Sequence, residues 1–370
     1  MSRAHGRGTN RTAVVAGAIV AAAAVVGGGV YLLTGTDDKA SHGPSGKSRT
    51  PSSGPERTPG SSPTKTKDPR PPYARFAPYI DTTLSPPYDM VDTAGRTGVK
   101  EFNLAFISPG GGGCTPKWGG KSALTDNAVA DGIDDLRAEG GDVRLSFGGQ
   151  GGSELGRSCR SVSELADAYG RIIDTYRLTK IDFDIERDAL TDTAANTRRA
   201  QAVARLQKEH PDLQVSYTLP VMPAGLNPKA LDLLTDARKN GVKISAVNIM
   251  AMDYGTSFSD DMGRYAIQAA TATQKQLKSA LGLSDADAWK TLAVTPMIGL
   301  NDVTTETFTL DDAKELVRFA ESKDLAWLSM WSSTRDKPCP GGKKKSAQAT
   351  CSSILEDELA FTRVLGAYND

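Results

Sequence analysis

In the stretch Lys180-Ile181-Asp182-Phe183-Asp184-Ile185-Glu186, an acid recurs at every second position. On a β-strand this spacing puts Asp182, Asp184 and Glu186 on one face and Ile181, Phe183 and Ile185 on the other. A buried strand of a parallel sheet is ordinarily apolar on both faces. Carboxylates about 5 Å apart at an effective dielectric of about 20 repel by roughly 3 kcal/mol. That is worth about 2 pKa units, so one carboxyl is expected to stay protonated near neutral pH. The outermost, Glu186, is the expected proton carrier. A protonated acid beside an ionised one is the arrangement general-acid catalysis uses. The alternative is a solvated edge strand, and such strands commonly mix Lys among their acids.

Eight apolar strand patterns surround this row: Phe76 to Thr83, Glu101 to Ser108, Asp142 to Gly149, Lys180 to Glu186, Leu213 to Val221, Lys243 to Tyr254, Leu292 to Leu300 and Leu325 to Ser332. Helical patterns separate them. Leu165, Tyr169, Ile172, Ile173 and Tyr176 share one helix face, with Ser161 or Ser163 as its N-cap. Another helix is expected to end at His210-Pro211, and the last to run from about Ile354 to Leu365. Regular alternation implies parallel strands joined by right-handed crossovers. Eight repeats in under 300 residues match an α/β fold of the (β/α)8 TIM barrel type. An open doubly wound sheet would show a glycine-rich turn after its first strand; here Leu84-Ser85-Pro86-Pro87 follows. In a barrel the chemistry sits where strands end, so Glu186 closes strand four at the working face.

The chain ahead of the barrel has another character. Lys plus Arg and Asp plus Glu each number 44, giving zero net charge, which argues against a nucleic-acid partner. The distribution is uneven: residues 1–72 carry ten basic and four acidic side chains. Residues 1–12 form a basic leader expected to stay cytoplasmic. Residues 13–34 form an uncharged apolar run long enough to span a bilayer. A cleaved signal peptide is the competing reading, and either one exports the remainder of the chain. Residues 35–72, rich in Pro, Ser and Gly, are expected to be a disordered tether spanning on the order of 35 Å. Residues 73–370 are then the catalytic domain. It is expected to be extracellular, monomeric, and either membrane-anchored or secreted.

The four cysteines lie in that exported part. Three pairings are open, of which Cys114 with Cys159 and Cys339 with Cys351 is favoured as extracellular disulfides. The three histidines, His5, His42 and His210, fall in the leader and at a helix end. They offer no triad, and neither a metal nor a cofactor is expected.

The strand ends resemble those of the family 18 glycoside hydrolases, the chitinase family. Its strand-four signature, Asp-Gly-x-Asp-x-Asp-x-Glu, is matched by Asp182, Asp184 and Glu186, with Thr179-Lys180 replacing the leading Asp-Gly at the strand's entry. The strand-three Ser-x-Gly-Gly appears as Ser146-Phe147-Gly148-Gly149, and Trp331 closes strand eight. Strand six departs from the family's Met-x-Tyr-Asp. It reads Met250-Ala251-Met252-Asp253, with Tyr254 two residues after Met252.

The resemblance implies a retaining, substrate-assisted glycosidase acting on chitin or another N-acetylglucosamine-containing glycan. Glu186 would be the acid, Asp184 would orient the substrate's acetamido group, and Asp182 would hold Asp184. Asp253 and Tyr254 would bind that group, and Trp331 would floor the sugar site. Met250 either lines the site or fills the barrel. Trp118, in a glycine-rich loop, either stacks on an outlying sugar or covers the barrel rim. Tyr79 either lines the pocket or fills the core, and Asp302 is a possible substrate contact. The short link from Asn301 to Leu310 leaves no room for the small α+β insertion of some members, which implies a shallow cleft and endo-type cutting. An N-glycan endo-β-N-acetylglucosaminidase and a chitin-binding lectin without activity are the alternatives.

Overall fold

A computed structural model describes residues 74–151 and 153–369. The basic leader, the apolar run and the linker expected over residues 1–72 lie outside the described residues. Among the described residues no helix is long and apolar enough to cross a membrane.

The fold is α/β, built on a curled parallel sheet. Its strands are β1 (Tyr79–Asp81), β2 (Glu101–Pro109), β3 (Asp142–Gly148), β4 (Lys180–Asp184), β5 (Gln214–Met222), β6 (Ile244–Ala251), β7 (Leu292–Pro296) and β8 (Trp327–Leu328). They neighbour one another in chain order, each pair parallel. Phe76 bridges Leu328 in parallel, and the N–H of Ala77 donates to the Leu328 carbonyl at 3.0 Å. The N–H of Tyr79 reaches the Met330 carbonyl at 3.1 Å. First and last strands thus meet, as the alternating pattern anticipates. β1 and β8 are shorter than their apolar runs because pairing there continues as isolated bridges, Met297 with Trp331 among them.

The principal helices are α1 (Met90–Thr97), α2 (Ile133–Ala138), α3 (Val162–Tyr176), α4 (Thr193–Glu209), α5 (Pro228–Lys239), α6 (Met262–Leu281), α7 (Leu310–Lys323) and α8 (Ala360–Gly366). Ser161 caps α3, its hydroxyl accepting the Glu164 N–H at 3.1 Å, an interaction worth about 1 kcal/mol. α8 begins six residues later than the periodicity suggests. Leu359, in the left-handed region at φ 62°, breaks the chain just ahead of it.

The apolar face of β4 does the packing. Phe183 meets Phe147 of β3 at 5.3 Å and Tyr169 of α3 at 5.2 Å, ring centre to ring centre. This anchors the strand against the helical layer and leaves its acids no direction but inward. Regular pairing of β4 stops at Asp184, two residues before the expected end. Ile185 still donates its N–H to the Thr218 carbonyl at 3.0 Å, and Glu186 keeps extended dihedrals of −125° and 165°. The alternation therefore runs through Glu186. Cys114 pairs with Cys159 and Cys339 with Cys351, the favoured connectivity, with Cα atoms 4.6 and 5.0 Å apart.

Candidate active site

The row of acids runs from the barrel's interior to its mouth. Asp182 is fully buried and is met by hydroxyls from three strands. Ser146 of β3 donates at 2.7 Å, Ser216 of β5 at 2.6 Å and Tyr79 of β1 at 3.0 Å. Thr218 of β5 lies 2.9 Å from the same carboxyl. A polar chain supports it from behind. Thr295 of β7 donates to Asn248 of β6 at 2.8 Å, and Asn248 donates to the Thr218 hydroxyl at 3.0 Å. Burial pushes the Asp182 carboxyl up, against the pull of the Ser216 and Ser146 hydrogen bonds and of Arg144. Ser146 therefore acts on Asp182 from inside the barrel and does not line the cleft. Tyr79 does both things its position allows: it is buried, and it lines the cleft floor.

Asp184 and Glu186 both line the open cleft, a cavity of about 390 Å³. Asp184 Oδ1 is buried with no hydrogen-bond partner among the described residues. Burial first, then the charges of Glu186 and Asp182, push its carboxyl well above the usual range. Burial also raises Glu186, while its hydrogen bond with Asp184 pulls it back down. Both carboxyls are raised, and Asp184, more deeply buried and with an acid on each side, is raised well above the usual range. Burial outweighs mutual repulsion as the cause. The two carboxyls titrate as one unit.

The glycines of Ser146-Phe147-Gly148-Gly149 are explained by contact. A Cβ on Gly148 would stand 2.1 Å from the Asp184 carbonyl oxygen, and one on Gly149 would strike the Phe106 ring at 2.7 Å. The N–H of Gly149 instead donates to that carbonyl at 3.1 Å, so β3 fixes the segment carrying Asp184. Among the described residues no group of three or more His, Cys, Asp and Glu is placed to hold a metal ion.

Trp331 lines the cleft, stacked on Phe106 with ring centres 5.6 Å apart and planes 19° from parallel. From the end of β6, Met250, Met252 and Asp253 line it as well. Asp253 sits at φ 51°, and its Oδ1 accepts the N–H of Val303 at 2.8 Å. Burial raises this carboxyl too, and the Val303 hydrogen bond opposes the rise. Asp302 also faces the cleft.

The expected sugar contact at Tyr254 is corrected, and of the two readings of Trp118 the covering one holds. Tyr254 is buried and does not line the cleft; its ring packs on Phe258 and Tyr265 at 5.8 and 6.1 Å. The left-handed turn at Asp253 breaks the alternation that would have put Tyr254 on the same side as Met252. Trp118 is also buried, 1% exposed, and its indole N–H donates to the Tyr176 hydroxyl of α3 at 2.8 Å. It covers the outside of the sheet, held there because Pro116–Trp118 pairs antiparallel with the end of β2.

Phe106, Gln150, Arg187, Asn227 and Met297 line the cleft without having been singled out from the sequence. Phe106 is the extra residue where the β2–β3 register slips between Ala105 and Ile107, a bulge that no alternation pattern reveals. Arg187 had one signal, its place directly after Glu186.

No family model matches the chain. A probable bifunctional chitinase/lysozyme of Escherichia coli K12 is 37% identical over 290 residues, 74% of this chain and 32% of that protein. Endochitinase 11 of Metarhizium anisopliae is 36% identical over 279 residues, 71% of this chain and 52% of that protein. The chain thus spans about a third and about half the length of these two relatives. The catalytic domain of a hyperthermophilic chitinase from Pyrococcus furiosus, a solved structure, is 34% identical with a TM-score of 0.72. The match covers 79% of this chain and 94% of that one. With that coverage at that identity, and with the acid row, the paired glycines and Trp331 at one cleft, the chain belongs to the family 18 glycoside hydrolases, the chitinase family.

Proposed function

We propose that this chain is an extracellular, endo-acting chitinase. It hydrolyses β-1,4 linkages between N-acetylglucosamine units with retention, using the substrate's own acetamido group as nucleophile. The observation that carries the reading is the place of Asp184, at the cleft between Asp182 and Glu186 with its Oδ1 unpaired. A carboxyl so buried between two acids, and raised well above the usual range, is a poor nucleophile, and its free oxygen is open to a substrate amide. That suits a group which orients an amide better than one which attacks a sugar.

In this reading the sugar rests on Trp331 and Phe106 over the acid row. Its acetamido group displaces the Asp184–Glu186 hydrogen bond, and the proton that pair shares passes to Glu186. Glu186, now shielded from water, protonates the glycosidic oxygen and the leaving chain departs. The acetamido carbonyl attacks the anomeric carbon and closes an oxazolinium ring. Asp184, left ionised and held by Asp182, accepts the amide N–H, orients it and balances its positive charge. Water activated by Glu186 then opens the ring and restores the original configuration. The two disulfides support an oxidising compartment and therefore export.

Hydrolysis of a defined chitin oligomer tests the reading. The first product is expected to be the β-anomer, released by internal cuts, and a thiazoline analogue of the cyclised intermediate is expected to compete with substrate. An initial α-anomer, or indifference to the thiazoline, overturns the mechanism. Cleavage of a high-mannose glycoprotein with chitin left intact overturns the substrate.

A further inference from the structure

The loop after β7 and the turn after β6 hold each other in both directions. Asp253 takes the N–H of Val303 at 2.8 Å. In return Glu306 Oε1 takes the N–H of Gly255 at 2.8 Å, and the amides of Tyr254 and Asp253 also act on the same carboxylate. One hydrogen bond from Gly255 and two neighbouring amides thus face one carboxylate, whose Oε2 has no partner among the described residues, in a turn of unusual dihedrals: φ 51° at Asp253 and 114° at Gly255. Asp prefers other conformations, so this turn keeps its shape only while something outside it holds it.

Glu306 is well placed to do so. It is 0% exposed. Its own loop is stiffened from several sides. Its N–H donates to the Val303 carbonyl at 2.9 Å, and its carbonyl accepts the Asn301 N–H at 3.0 Å. The Asn301 amide donates to the Met297 and Gly299 carbonyls at 2.8 and 3.1 Å. The Arg335 guanidinium donates to the Ile298 and Leu300 carbonyls at 2.9 and 2.7 Å. Glu306 itself does not line the cleft, whereas Met252 and Asp253 do.

We propose that Glu306 is a positioning residue: by gathering the amides of the 253–255 turn it fixes where Met252 and Asp253 stand in the cleft. The proposal rests on the chitinase reading for its activity readout. Its structural half, the clamp on the turn, is independent of that reading.

The test compares Glu306→Ala, Glu306→Gln and Asp253→Ala, singly and with Asp253→Ala/Glu306→Ala. It uses the full chain, a chito-oligosaccharide substrate, and amide hydrogen exchange over residues 252–256. Displacing a substrate-facing group by about 1 Å costs on the order of 100-fold in rate. Glu306→Ala is therefore expected to lower kcat/KM per folded molecule to that extent, together with a lower melting temperature because the Gly255 N–H loses its acceptor. Glu306→Gln, which keeps a carbonyl for Gly255, is expected to recover at least about tenfold of it. The double variant is expected to match Asp253→Ala within about twofold, because Glu306 acts through that turn. The Gly255 amide is expected to exchange faster in Glu306→Ala. Losses that multiply in the double variant, or an unaltered Gly255 exchange rate, overturn the proposal. If Glu306→Ala fails to fold, Glu306→Gln with wild-type kinetics and wild-type exchange in its Gly255 and Asp253 amides overturns it equally. Faster Gly255 exchange with no wild-type turnover of chito-oligosaccharides supports the clamp and sinks the chitinase reading instead.

Discussion

The two ends of β4 bury charge in opposite ways. At the entry, Lys180 reaches both oxygens of Glu101 at 2.5 and 2.7 Å and Asp142 at 3.1 Å. Burial pushes the Asp142 carboxyl up, but Lys180, the Val143 N–H and Arg137 together hold the group below its usual range. Four residues on, about 13 Å along the strand, Asp184 has no cation and no donor. One end is balanced and the other is left out of balance. Sheet, helix packing and strand are common to both, so the difference lies in the side chains chosen. Groups at the entry of such a barrel serve the fold, and groups at the exit serve chemistry at its expense.

The largest effect is expected at the exit. Glu186→Gln removes the proposed acid and leaves its shape. Turnover of a chito-oligosaccharide is expected to fall by about 10³-fold, within the range of a lost general acid, while calorimetric binding of the same oligomer persists. Turnover within tenfold of wild type would remove Glu186 from the acid's role and dissolve the contrast between the two ends.

Lys180→Ala probes the entry. It leaves the partly buried Glu101 without its cation, while Asp142 keeps Arg137 at 2.9 Å, at a cost of about 2 kcal/mol. The denaturation midpoint is expected to drop accordingly, with kcat per folded molecule unchanged. A fall in kcat at constant stability would mean that the entry charges act on the site after all. This position also answers the family's missing Asp-Gly: Lys180 replaces glycine there and is absorbed by a local ion-pair network remote from the cleft.

Much of this was legible because period-two acids on an otherwise apolar strand are a strong signal. The acid row, the strand order and both disulfides are found where the pattern puts them. Two of the misreadings share one cause, a departure from extended backbone. Asp253 turns left-handed and takes Tyr254 out of the cleft. The bulge at Phe106 swings an aromatic ring into it. Trp118 has a glycine on either side of its loop, yet a three-residue strand pins it against Tyr176. Glu306, four residues beyond Asp302 in a loop with no periodicity, offered nothing to read until its amide partners were in view. Charge spacing is written in the sequence, but depth of burial is not, and burial is the first cause of the rise at Asp184.

Asp184→Asn is the finest probe of the same comparison, because its effect is on the pH dependence of stability. The native carboxyl titrates well above the ordinary 3.8, so it favours folding while protonated in both states. That contribution is fully present below about pH 3.8. It is lost as pH rises from there through the native pKa, where the unfolded chain ionises freely and the native one resists, at up to about 1.4 kcal/mol per pH unit. An asparagine cannot ionise and escapes the loss. The variant is therefore expected to match wild type near pH 4 and to exceed it increasingly towards pH 7, with activity strongly reduced. Urea midpoints across that range measure the divergence. Parallel curves would mean that Asp184 is charged in the native protein, and the exit of β4 would then be as well compensated as its entry.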